Sequence, residues 1–180
     1  MRLSRIVLFL AAIFLLHKYT LDKEAATTFG NSTYFFKDAP FAQKAALVNG
    51  KHEEPYLRVF YEKKYVYGDF NRDGLRDAAV IITENTGGNA SWHTLAFLIN
   101  DGKTLVHRAS RTLDDRAVIN SMKEKNGKVV IDMYVHQEGD CMGGPTKRVR
   151  NIYEYTGPEF DKLKVLPRTI FCLSPNGMPG

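Results

Sequence analysis

Asp69, Asn71, Asp73 and Asp77 place four oxygen-bearing side chains at alternate positions of the stretch GDFNRDGLRD, residues 68–77. A hard cation such as calcium takes about six to eight oxygens, which alternate side chains supply when a tight turn makes them converge. Gly74 provides the bend, and the backbone carbonyl of Leu75 fills the intervening position. Asn, Asp and Gly also populate turns for conformational reasons alone. Three carboxylates this close, however, repel one another without a cation between them. The expected cofactor is therefore calcium in a structural role, held by Asp69, Asn71, Asp73, Leu75 and Asp77.

An EF-hand would continue to a bidentate Glu at the twelfth loop position, where this chain has Val80 in an apolar run. The loop instead resembles the short D-x-N-x-D-G-x-x-D calcium loops of FG-GAP and dockerin-like modules, over about residues 67–82. FG-GAP loops usually recur in propeller blades. This chain carries one copy and no repeat of propeller length, which argues against a propeller.

Other chemistry is thinly represented. His17, His52, His93, His107 and His136 form no H-E-x-x-H or close ligand pair, which argues against a zinc enzyme. Cys141 and Cys172 are the only cysteines; an even count in an exported chain predicts one disulfide, two buried thiols being the alternative. His136, Asp140 and Cys141 are close enough in sequence for a nucleophile, base and orienter, but a disulfide at Cys141 suits an exported chain better. Ser91, Ser110, Ser121 and Ser174 lack a G-x-S-x-G context. Trp92 with Tyr61, Tyr65 and Tyr67 can stack on sugars, although aromatics at period two more often face a sheet core. Gly87-Gly88 reads as a connector. Paired acids from Asp114, Asp115, Glu138 or Asp140 can serve a hydrolase, but no spacing selects a pair.

A chain of 180 residues, 44% hydrophobic and 12% aromatic, can bury one substantial core and is not of the disordered class. Arg2 and Arg5 precede an uncharged apolar run at residues 6–16, the layout of a secretory signal or an uncleaved anchor over residues 1–21. Those 21 residues hold three of the 25 basic residues and no acid, so 22 bases face 20 acids in the remainder. A charge near +2 gives no nucleic-acid signal. Arg148 and Arg150 share one face of an expected strand, either as a solvated edge or as a surface for an anionic partner. Periplasmic or secreted location follows, with membrane contact only through the N-terminal segment.

The elements that must position these residues read as β. Residues 22–37 lack periodicity and are expected as a spacer before a single domain over 38–180; Asp38 and Pro40 can cap a short helix to Leu47. Residues 57–67 alternate Leu57, Val59, Tyr61, Tyr65 and Tyr67 against Arg58, Glu62 and Lys64, as in a half-buried strand. The runs 78–83 and 95–99 suit central strands covered on both faces. Asp101-Gly102, Asn126-Gly127 and Asn49-Gly50 are hairpin turns. Val129, Ile131, Met133 and Val135 share a face, and a final strand is expected within 148–155. The expected fold is mainly β: an antiparallel meander with a short N-terminal helix.

From Tyr65 to about Gly157 the chain also resembles uncharacterised bacterial secreted proteins and lipoproteins. The likeness rests on the GDxNxDGxxDAAV stretch, the Gly-rich break at 86–90, the NDGK turn, the NGKVVIDM strand, the Cys/Pro stretch 141–145 and a closing Y-x-Y-x-G. It implies an exported envelope domain, in which the sequons at Asn31 and Asn89 carry no meaning, and no particular reaction. No lipobox cysteine follows the apolar run. Two function classes follow: a calcium-stabilised, non-catalytic module binding an envelope protein or glycan, or a secreted hydrolase acting on such a polymer.

Overall fold

The apolar run 78–83 forms the middle of the molecule. In the computed structural model, which describes residues 2–36, 38–88, 90–140, 144–157 and 163–168, strand β5 (Asp77–Asn85) is buried at every position but its last. It lies at the centre of a five-stranded sheet with β3 (Lys51–Glu54), β4 (Leu57–Gly68), β6 (Ser91–Asn100) and β7 (Leu105–Asp115), in the order β3-β4-β5-β6-β7. A second sheet holds β8 (Val118–Lys125), β9 (Lys128–Val135), β10 (Lys147–Tyr155) and β11 (Leu163–Arg168) in chain order. All neighbours pair antiparallel, so the chain is mainly β and meanders as expected. β11 follows β10 and is one strand more than the sequence suggested.

Side-chain alternation divides the core in two. Ala79, Ile81, Leu95 and Phe97 point from the first sheet to Val129, Ile131, Met133 and Tyr153 of the second. Val80, Ile82, Ala96 and Leu98 point the other way, to a cover built from α1 (Arg2–Phe29) and the hairpin of β1 (Thr33–Phe35) with β2 (Lys44–Ala46). A sheet covered on both faces needs nearly continuous apolar strands, and β5 and β6 have them.

Two expectations fail at this cover. Residues 22–37 are not a spacer: the end of α1 and β1 bury Ala25, Phe29, Tyr34 and Phe36, with the Phe29 ring 5.5–5.9 Å from those of Tyr61, Tyr65 and Tyr67. No helix spans 38–47 either, because pairing Tyr34 with Ala45 across β1 and β2 buries both side chains. Asp38 accepts from Arg111 at 3.1 Å instead of capping a helix. The N-terminal helix is α1; among the described residues no helix is long and apolar enough to cross a membrane. A Cβ on Gly30 would lie 2.5 Å from the Ala26 carbonyl oxygen and 2.9 Å from the Gly50 nitrogen, so glycine lets α1 end against the 49–50 turn.

The turns match their residues. Asn49 and Gly50 have φ of 52° and 86°, and Asn126 and Gly127 have 54° and 71°, the double left-handed conformation of tight hairpins. At the β6–β7 turn the Asp101 carboxylate accepts from the Lys103 and Thr104 amides. In β4, Tyr61 pairs with Ile82 and Tyr65 with Val80, so Glu62, Lys63 and Lys64 stand opposite one residue. Two extra residues preserve parity, which is why all three tyrosines share a face.

Replacing Phe29 by Ala should cost about 3–5 kcal/mol in urea unfolding, the range for a buried ring in a core. A loss under about 1 kcal/mol would mean that the end of α1 is not part of the folded domain. His107 supplies a pH test: it is 6% exposed, its Nδ1 accepts from the Phe35 amide at 3.2 Å, and burial lowers its pKa from 6.5 to about 4. The unfolded chain therefore binds the extra proton between those values. Stability from this group is full above pH 6.5 and falls, by on the order of 3 kcal/mol, as pH drops towards 4. His107→Leu should flatten that slope in unfolding measured across the interval.

Candidate functional site

The loop between β4 and β5 is wound around its own side-chain oxygens. Asp69 Oδ1 and Asn71 Oδ1 both accept from the Asp73 amide, at 3.1 and 3.2 Å; Asp69 Oδ2 accepts from Gly74 at 3.0 Å and Asp73 Oδ1 from Leu75 at 2.8 Å. Asn71 Nδ2 donates to Asp73 Oδ2 at 2.6 Å. Left-handed φ values at Arg72 (65°) and Gly74 (86°) supply the bends. Hydrogen bonds join Asp69, Asn71 and Asp73 in one turn, and Asp77 ties the start of that loop to the end of β6. The Asp77 carboxylate is fully buried, accepting from Phe70 at 2.8 Å and Asn71 at 3.3 Å on one oxygen and from Asn100 at 2.9 Å on the other.

This donor set is all oxygen, as calcium prefers, and Asp69, Asn71 and Asp73 crowd one turn. Asp77 fits less well, because three amides leave a carboxylate about one lone-pair site. Among the described residues, no three His, Cys, Asp or Glu side chains are grouped to hold a metal ion.

The loop sits where the sheets meet. Phe70 reaches into the inter-sheet core edge-on to Phe97, ring centres 5.1 Å apart. A Cβ on Gly68 would lie 2.7 Å from Glu124 Cγ of β8 and 2.9 Å from the Phe70 ring, so a side chain there would displace one or both. Arg72 donates to Glu154 of β10 at 3.3 Å, and Lys128 of β9 shares that carboxylate at 2.9 Å.

Three of the four acids considered for hydrolysis hold backbone amides, and Asp115 also holds Arg116. Asp114 accepts from the amides of Asp115 and His136, each at 2.9 Å; Asp115 accepts from the Ser91 amide and Arg116 Nε, also at 2.9 Å. Asp140 accepts from the Gln137 and Thr146 amides at 3.0 Å, and Glu138 is exposed. His136 Nδ1 meets the Asp115 carbonyl at 3.1 Å. Cys141 and Cys172 lie outside the described residues, and so does the expected disulfide. Tyr61, Tyr65 and Tyr67 pack on Phe29 in the core, while Trp92 is half-buried opposite Glu84.

Two polar clusters escaped the sequence reading. The β4 bulge aims Glu62 at Thr83, at His93 Nε2 (2.8 Å) and at Lys64 (2.7 Å). Burial raises the Glu62 carboxyl, but hydrogen bonds from His93, Lys64 and Thr83 outweigh it and lower the pKa to about 2. On the outer face of the second sheet, Asp132 is 3% exposed beneath two arginines. Arg148 donates from Nε and Nη2 to its two oxygens at 3.0 and 3.1 Å, Arg150 Nη2 adds a bond of 3.0 Å and Asn120 one of 3.2 Å. The Arg148 guanidinium is the main cause holding the Asp132 carboxyl down at about 2. Arg148 and Arg150 at i and i+2 were a visible signal; the acid beneath them depends on the register of β9 with β10.

Comparison with family models, with curated proteins and with solved structures finds no match to this chain.

Asp77→Ala should cost at least about 3 kcal/mol in urea unfolding, since it strips the acceptor from three amides at a buried carboxylate. Asp73→Ala, measured with chelator present, should stay within about 1 kcal/mol of wild type. Equal losses would mean that Asp77 is not the loop's internal anchor.

Proposed function

We propose that this chain is an exported, calcium-stabilised β-rich module of the cell envelope that works by binding rather than by catalysis. One observation carries the reading: the oxygen-lined loop 69–77 sits at the joint between the two sheets, where ordering it orders both. Calcium would be held by Asp69, Asn71, Asp73 and the Leu75 carbonyl, with Asp77 contributing at most one further lone pair. The ion neutralises the loop carboxylates and fixes the turn that leads into β5. The likeness of the loop to FG-GAP and dockerin-like calcium loops supports the same assignment. Asp114, Asp115 and Asp140 hold backbone and Arg116, which favours a binding surface over a hydrolytic pair. The expected partner is an envelope protein or glycan.

A cation that binds only the folded chain stabilises it by about 2.7 kcal/mol at a hundred times its dissociation constant. Thermal melting should therefore rise by roughly 5–10 °C from chelator to saturating calcium in wild type, and not in Asp73→Ala. Identical melting in the two buffers removes calcium from the reading. Release of soluble fragments from an envelope glycan or peptide by the purified protein would overturn its non-catalytic part.

A further inference from the structure

On the outer face of the second sheet, two arginines are held over one buried carboxylate. A guanidinium has five N–H donors; Asp132 takes two from Arg148 and one from Arg150, so each arginine is held in place with donors to spare. Both side chains remain about half exposed, at 50% and 47%. Holding a side chain before its ligand arrives removes part of the ordering cost of binding. Two arginines over one carboxylate leave a net single positive charge, which matches a monoanion.

Arg150 and Asp132 also line a groove of about 560 Å³, with Val130 and Ile152 as apolar floor and Lys123 and Lys125 along one side. The two lysines are two residues apart on one strand face, about 6.5–7 Å along it. Neither has an ion-pair partner among the described residues. A groove of this size suits a ligand of a few rings. Among the described residues no aromatic side chain lines it to stack a base, and residues 22–180, near +2, lack the charge for nucleic acid.

We propose that this groove binds an acidic glycan, one sugar carboxylate on Arg150 with Arg148 beside it on Asp132, its ring over Val130 and Ile152, and the next carboxylate towards Lys123 and Lys125. The proposal rests on the binding-module reading and names its ligand class.

Calorimetric titration of the full chain, with calcium matched in cell and syringe, tests it with four probes: trigalacturonate, its methyl ester, triglutamate and a glycerol-phosphodiester trimer. Trigalacturonate should bind at least tenfold tighter than the other three. Arg150→Gln should weaken it at least tenfold, and Lys123→Gln with Lys125→Gln about two- to fivefold. Arg150→Gln leaves Arg148 on Asp132, and the lysine pair is exposed, so circular dichroism should show both variants folded. Absent binding, equal binding of acid and ester, or wild-type affinity in both variants overturns the proposal. Tighter binding of triglutamate or of the phosphodiester also overturns it, in favour of a peptide or a phosphate polymer. The calcium test reads melting and this one reads ligand heat, so loss of the glycan with calcium-dependent melting intact sinks the ligand class alone.

Discussion

One buried carboxylate organises the centre of this protein. Asp77 begins the central strand, and a buried charge must be met by donors or cost several kcal/mol. Its donors are amides at two distant places: Phe70 and Asn71 in the preceding loop, and Asn100 at the end of β6. Meeting them closes the loop back on β5, sets where β6 stops and delivers Phe70 to the inter-sheet core. The loop chemistry and the packing of the two sheets are thus coupled through one side chain, and the turn that carries Asp69 and Asp73 is already tied from inside.

Much of the architecture was legible because strong local signals agreed with burial. Continuous apolar runs became β5 and β6, Asn-Gly pairs became left-handed turns, and Val129, Ile131 and Met133 became an inward face. The segment from 22 to 47 was misread because its signals are tertiary. Ala25, Phe29, Tyr34 and Phe36 show no period, yet together they cover the second face of the sheet. Asp38 and Pro40 read locally as a helix start, and strand pairing with β1 overrode that preference.

The candidate site divides along the same line. Asp69, Asn71 and Asp73 were legible because the loop is local, and the structure gathers them in one turn. Asp77 looked like their equal in spacing; only the fold reveals that one of its oxygens faces the Asn100 amide at the end of β6 while the other holds the amides of Phe70 and Asn71. Asp132 beneath Arg148 and Arg150, and Glu62 beside His93, depend on register and on a bulge, which spacing along the chain does not encode.

The bulge in β4 also constrains how this chain can change length. Glu62, Lys63 and Lys64 occupy the place of one residue, so the strand resumes in phase only because the surplus is even. Loss or gain of a single residue there would send Tyr65 and Tyr67 to the opposite face, away from Phe29 and towards the second sheet, while a change of two would leave them in place. Length variation in this segment is therefore quantised in pairs, a parity rule written into the backbone and independent of which side chains fill the bulge.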